Sequence, residues 1–340
     1  MALELDYSAS SLYVYTMHSE NHFRNILESE LAKLKLSNEP ARLYDPIRYM
    51  ISLGGKRLRP ALLMMCNELF ENDPMEVLSP ALGIEVFHNF TLLHDDIMDK
   101  APLRRSSETV HKKWNPDIAI LSGDTMFVLS CMLMMKVKSE YLQDVMDMFL
   151  KTAVEVCEGQ QYDMDFETEV SVTIPDYIKM IELKTATLLG CSAYIGSLCS
   201  GAGKENANHL YNFGKNLGIA FQLQDDILDV YGESEKFGKQ VGGDILSNKK
   251  TFLLLSALEK AKGKEKSKLQ FWLHATDFIP NKKIESIVSI YDKLDIKNYA
   301  TEIKNQYFSL AMKELELINL PLSRKKLLID LTDRLMVREV

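Results

Sequence analysis

Two short stretches of the chain carry the same pattern of acids. LLHDDIMD ends at Asp99 and QLQDDILD ends at Asp229, and each sets Asp-Asp-x-x-Asp at the end of a long apolar run. A helix turns about 100° and rises ~1.5 Å per residue, so Asp95 and Asp99 stand ~40° apart, one turn from each other. Asp96 stands to the side of that face, and Asp225, Asp229 and Asp226 repeat the arrangement. Carboxylates paired on one face repel unless protons, cations or basic side chains compensate. Oxygen ligands favour a hard divalent cation, and Mg²⁺ binds jointly to carboxylates and substrate phosphates. A single cluster of this kind could be a solvated helix end with a chance run of acids. Two with identical spacing, with Ile-Met or Ile-Leu between the acids, point to one shared site for a metal-bridged diphosphate.

Basic groups supply the complement. GGKRLRP brings Lys56, Arg57 and Arg59 after two glycines, and PLRR brings Arg104 and Arg105 just beyond Asp99. Lys184 opens a long uncharged stretch, and Lys239 and Lys249 lie in or beside a glycine-rich loop. Arginine offers phosphate a planar fork and lysine a compact charge. Any one basic pair is most simply a solvated surface pair. Next to acidic metal motifs, the set suits a metal-bound polyphosphate and a second, metal-free anion. His88 precedes Asp95 by seven residues, about 20° away on the same face and ~10 Å deeper. Gln222 projects about 60° from Asp225 and 20° from Asp229, so it shares their face.

Helices must position these groups. The ten prolines punctuate long stretches rich in Leu, Met, Ala, Glu and Lys, which frames helical segments. The spacing predicts helices over 17–36, 43–53, 60–72, 80–99, 117–137, 140–166, 175–200, 206–231, 250–262, 264–274, 281–297, 299–315 and 321–335. No tight hairpin turn flanked by alternating residues stands out. The expectation is an all-α chain, one large bundle of about 10–13 helices around a central cavity, in a single domain over 1–340. The chain has 340 residues, 46% hydrophobic and 26% charged, with a formal charge of −8. Those values exclude global disorder and a small disulfide-stapled fold. The acidic balance argues against broad nucleic-acid binding. Cys66, Cys131, Cys157, Cys191 and Cys199 are odd in number and unevenly spaced, which suits reduced thiols and a cytoplasmic setting. Residues 1–15 contain no Lys or Arg and no long apolar run, so no signal peptide is expected. Residues 125–135 are apolar but short for a membrane span. Residues 185–203 lack charge but are rich in Ser, Thr, Gly and Ala, which favours a tightly packed internal helix.

Taken in order, these motifs resemble the trans-isoprenyl diphosphate synthases, the head-to-tail prenyltransferases. The resemblance rests on GGKRLRP, LLHDDIMD, PLRR with Thr109 and His111 downstream, Gly123-Asp124, EGQQYD, Lys184-Thr185, FQLQDDILD and FGKQVGGDILSNKKT. It spans a core of about residues 40–255. One departure is local: the family often has Gly and Pro where this chain has Ser106 and Glu108. The resemblance implies an isoprenoid-synthase bundle that condenses isopentenyl diphosphate with an allylic diphosphate (dimethylallyl, geranyl or farnesyl) and releases diphosphate. It implies three Mg²⁺ ions per site, with Mn²⁺ as an alternative. Asp95 and Asp99 would hold two and Asp225 the third, while Asp96 and Asp229 act through water or hydrogen bonds. Arg104, Lys184 and Lys239 would take up charge on the leaving group, with Lys249 also at the diphosphate. Thr185 and Gln222 would turn oxygens to the carbocation. Lys56, Arg59, His88 and Arg105 would bind isopentenyl diphosphate. The released diphosphate would serve as the base. Related synthases are commonly homodimers.

The product must grow down the helix that carries Asp95. Phe90 lies ~7.5 Å and Phe87 ~12 Å below Asp95, and Thr91 beside them is small. An aromatic residue in Phe90's position resembles a short-product enzyme, C15 to C20, of the farnesyl or geranylgeranyl type. Packing of Phe87 and Phe90 against a neighbouring helix is the alternative, and Met132, Met134 and Met135 leave longer polyprenyl products open. A class I terpene cyclase would carry a mixed Asn/Ser/Glu second motif in place of Asp225, Asp226 and Asp229. A phosphohydrolase built on His94-Asp95 would need further histidine partners. A non-catalytic helical subunit would tolerate damage to one acidic motif.

Overall fold

The computed structural model describes residues 18–232 and 242–336. Lys239 and residues 1–17 lie outside the described residues. The architecture is an all-α bundle. Its first half runs α1 (Glu20–Ala32), α2 (Ala41–Ser52), α3 (Leu58–Glu68), α4 (Leu78–Met98), α5 (Val110–Lys113), α6 (Pro116–Met134) and α7 (Leu142–Thr168). Next come α8 (Ile174–Ile181), α9 (Thr187–Cys199) and α10 (Gly203–Tyr231). Shorter and C-terminal helices follow over Gly243–Leu246, Phe252–Lys260, Gly263–His274, Pro280–Lys293, Ile296–Leu317 and Leu322–Met336.

Local chemistry starts these helices. Pro116 opens α6, and Asn115 Oδ1 accepts the Ile118 N–H at 2.8 Å. Pro175 sits in the first turn of α8, where Thr173 and Asp176 form a reciprocal capping box. Both devices satisfy N–H groups that a helix start leaves without partners.

Two apolar clusters form the interior, and α10 runs through both. Its Phe213 and Leu217 belong to the first, with α3, α4, α7 and α9. Its Ile219, Leu223 and Ile227 belong to the second, with α8 and the helical residues between 252 and 300. Every residue of α9 is buried, as the uncharged, small-residue stretch predicts. By length and composition α6 could cross a membrane. It is longer than the apolar stretch 125–135 suggests because it begins at Pro116. It packs on α4 and α2 and exposes Leu121, Val128, Met132 and Met135 along one side.

The chain departs from continuous helix in two places that bear on the site. A two-stranded antiparallel hairpin pairs β1 (Leu103–Arg104) with β2 (Ser107–Glu108). Its tip residues Arg105 and Ser106 have φ of 52° and 62°. Two-residue hairpin loops of this geometry favour Asn and Gly. The tip has neither, which is why the turn escapes a sequence reading. The second departure is a wide π-type turn, Glu182–Ala186, which joins α8 to α9 without breaking the helical path.

Serine in the left-handed region is strained by about 1 kcal/mol, and glycine is not. Ser106→Gly is expected to raise stability by up to about 1 kcal/mol. Thermal unfolding of the two proteins checks this, and an equal or lower midpoint for the variant would contradict it.

Candidate active site

The two acid clusters stand at the C-terminal ends of α4 and α10. That is the negative end of a helix dipole, where carboxylates are disfavoured and cations favoured. The neighbours are accordingly cationic. Lys184 Nζ lies 3.1 Å from Asp95 Oδ1 and 2.6 Å from Asp163 Oδ2. Arg104 Nε reaches Asp96 Oδ2 at 2.7 Å, and its terminal nitrogen lies 3.6 Å from Asp95. Lys249 Nζ is 3.7 Å from Asp163. Asp229 accepts the Asp244 backbone N–H at 3.0 Å, which ties α10 to the turn before Lys249.

The π-type turn delivers Lys184 and Thr185. Two helices crowd it through glycines. A Cβ on Gly159 of α7 would stand 2.2 Å from the Lys184 backbone nitrogen, and one on Gly218 of α10 would stand 2.7 Å from Ala186 Cα. Thr185 Oγ1 donates to Gln222 Oε1 at 3.5 Å. Gln222 Nε2 donates to Asp226 Oδ1 at 3.2 Å, and Tyr177 Oη donates to Asp226 Oδ2.

A cavity of about 440 Å³ joins these groups to Arg59 and His88. Arg59, His88, Phe90, Thr91, Asp95, Lys184, Thr185, Gln222 and Asp225 all line it. A second cavity, of about 320 Å³, shares Lys184, Thr185, Gln222 and Asp225 and adds Asp163, Asp229, Asp244 and Lys249. Asp95 and Asp225 therefore face one space. Asp96 does not line either cavity; it is buried against Arg104. Asp99 is exposed at the mouth of α4.

The basic end is built around Arg59 and His88, whose side chains meet at 3.3 Å. Arg59 Nε has no hydrogen-bond partner in the protein although it is buried, a donor suited to an anion. The Arg105 guanidinium lies across Gly55, about 3.0 Å from where a Cβ would stand. Lys56 is exposed on the same Gly54–Arg57 turn. Arg57 turns the other way, into a buried ion pair with Glu85 and a second with Glu28.

Burial and surrounding charges set the protonation states. Burial, then Arg59, Arg105 and Arg104, hold His88 well below its usual value, so it is neutral at working pH. Desolvation and then Asp95 raise the Asp99 carboxyl. Burial raises Asp96 against the opposing effect of Arg104. Burial pushes Asp226 up to about 7 despite the Tyr177 hydrogen bond. Burial opposes the Asp163 charge, but Lys249 and Lys184 outweigh it and hold that carboxyl low.

The two phenylalanines part company. Phe90 lines the larger cavity with Thr91. Phe87 is not among its lining residues; it is fully buried behind Phe90, between Phe127 and Phe149. Met134 is buried, and Met132 and Met135 are on the outer side of α6.

The polyprenyl synthetase family model matches residues 40–291. The chain belongs to that family. It is 41% identical over 236 residues to the geranylgeranyl diphosphate synthase of Methanosarcina mazei, covering 69% of this chain and 73% of that one. Over 255 residues it is 37% identical to the geranylfarnesyl diphosphate synthase of Natronomonas pharaonis, covering 70% and 75%. A solved geranylgeranyl pyrophosphate synthase superposes with a TM-score of 0.90 at 40% identity, covering 95% of this chain and all of the other. This polyprenyl synthetase is thus an isoprenyl diphosphate synthase, a prenyltransferase by class.

Some positions around the cavities escape the motif reading. Asp163 bridges Lys184 and Lys249; EGQQYD contains it, but no spacing rule names its partners. Tyr177 lies in no motif considered above. Among the described residues no three His, Cys, Asp or Glu side chains converge on one metal point. The family uses Mg²⁺, an ion that takes one or two carboxylates and completes its shell with phosphate and water.

Crowding at the π-type turn yields a test. Gly159→Ala is expected to shift Lys184, costing about 1–3 kcal/mol of stability and at least tenfold in turnover. Unfolding and steady-state assays of the variant check both effects, and wild-type turnover would contradict the second.

Proposed function

We propose that this chain, as one helical domain, joins isopentenyl diphosphate to an allylic diphosphate. The observation that carries the reading is that Asp95 and Asp225 line one cavity, with Lys184 against Asp95 and the half-buried Arg59–His88 pair in the same wall. The allylic C–O bond breaks, and its electron pair leaves with the diphosphate. The π electrons of isopentenyl diphosphate then form the new C–C bond. A proton leaves the adjacent carbon for an oxygen of the released diphosphate.

Each residue has a place in this scheme. Lys184, Arg104 and Lys249 take up the charge that develops on the leaving group, an electrostatic stabilisation that grows toward the transition state. Lys239 joins them in the same role. Arg59, Arg105 and Lys56 hold the second diphosphate, and His88 accepts from Arg59 to aim its guanidinium. Thr185 and Gln222 present oxygens to the cation, and the apolar wall keeps water out. Asp95, Asp99 and Asp225 would hold Mg²⁺ (three ions by the family resemblance), with Asp96 and Asp229 supporting them. Bound there, the metal draws charge from the departing diphosphate.

Phe90 in the wall favours a C15 to C20 product. Relatives of similar identity carry names of differing chain length, so side chains in the cavity wall, rather than the fold, set the size. The exposed apolar side of α6, with Leu150 and Val154 of α7, supports a homodimer. Buried free thiols at Cys66, Cys191 and Cys199 support a cytoplasmic setting.

Incubation with Mg²⁺, isopentenyl diphosphate and C5, C10 or C15 primers tests reaction class and length together. Condensation on at least one primer is expected, and chelation of the metal abolishes it. Asp95→Ala and Asp225→Ala should each lower the rate by more than ~100-fold, or about 2.7 kcal/mol. Near-normal turnover in either variant would contradict the metal assignment. Phe90→Ala should lengthen the product by at least one C5 unit, and Thr91→Phe should shorten it. Chromatography of the dephosphorylated products distinguishes these outcomes from an unaltered length.

A further inference from the structure

We propose that Tyr177 and Asp226 are positioning residues that decide which end of the Gln222 amide faces the cavity. The proposal rests on the prenyl-transfer reading above. A primary amide has a donor end and an acceptor end. Beside a carbocation only the oxygen is useful, because an NH₂ group there would add repulsion.

Asp226 makes the choice. It is buried one helical turn beyond Gln222, and its carboxylate accepts from Gln222 Nε2 at 3.2 Å. The Phe252 backbone N–H donates to it at 3.4 Å, and so does the Tyr177 hydroxyl. With the Tyr177 hydroxyl and the Phe252 N–H both on Oδ2, Oδ1 is the oxygen that receives the amide nitrogen. The amide oxygen is thereby turned toward the Thr185 hydroxyl, which donates to it at 3.5 Å. Gln222 and Thr185 line both cavities, whereas Tyr177 and Asp226 line only the smaller one. Tyr177 comes from α8 and is itself buried. Its hydroxyl fixes the carboxylate plane from the wall of the smaller cavity, outside the larger one that Phe90 and Thr91 line. The device acts on the amide through one hydrogen bond and then a second.

If the amide were free to flip, the cation would lose part of its stabilisation. Capture by water would then compete better: the water oxygen donates a lone pair to the cationic carbon, a C–O bond forms, and a proton is released, giving an alcohol. Packing alone does not predict such a change in products.

The test compares wild type, Tyr177→Phe, Gln222→Leu and the double variant. It measures kcat, KM for both substrates and the share of allylic substrate recovered as alcohol. Tyr177→Phe keeps the ring, and a thermal melt monitors its fold. We expect it to lower kcat about tenfold, keep both KM values within about twofold, and raise the alcohol share. In the Gln222→Leu background the same change should cost nothing further, because the group it acts through is gone. Asp226→Asn, which can donate to the amide oxygen, should raise the alcohol share in the wild-type background and leave it unchanged beside Gln222→Leu. Additive losses, or a wild-type alcohol share in Tyr177→Phe, would overturn the proposal while the prenyl-transfer reading stands. Absence of condensation in the wild type would sink that reading, and this proposal with it.

Discussion

Carboxylates gathered at the C-terminal ends of two helices repel one another and the carbonyl dipoles behind them. The rest of this protein is arranged around that repulsion. Asp95 and Asp96 are offset by Lys184 and Arg104, and Asp163 holds Lys184 and Lys249 on the same side. A lysine ammonium and a bound metal ion can satisfy the same acids, so the network is suited to exchange one cation for another. A dry apolar core at this point would be more stable and would have no chemistry.

The bundle keeps the charges from drifting apart. α10 runs through both apolar clusters and carries its acids at one end. The end of α4 faces it across the cavity. Close-packed interiors yield little, so a helix gripped along its length holds its last turns firmly. That grip matters because displacement of about 1 Å at a reacting group can cost a hundredfold in rate.

Much of this was legible in the sequence, for reasons that can be named. Four-residue spacing sets Asp95 and Asp99 on one helix face whatever the surroundings. Prolines 116, 175 and 280 mark helix starts because a ring nitrogen is harmless there. The hairpin at 103–108 is hidden in the sequence because Arg105 and Ser106 take positive φ without glycine or asparagine to announce it. The π-type turn is hidden because it leaves the apolar periodicity on either side intact. Partners were harder than positions: Lys184 meets Asp95 and Asp163 from α4 and α7, and no local rule links them. Phe87 and Phe90 are three residues apart on one helix, and only the placement of α6 and α7 decides which of them meets the cavity.

The turn over Glu182–Ala186 holds one residue more than a regular helix of the same rise. Deleting a single residue there would let the segment anneal into ordinary α-helix, with α8 and α9 keeping their places. Lys184 or Thr185 would then swing by about 100°, away from Asp95 and Gln222. Such a chain would keep its bundle and lose its reaction. For an evolving gene, then, a three-base deletion at this point is a route to a well-folded, inert paralogue.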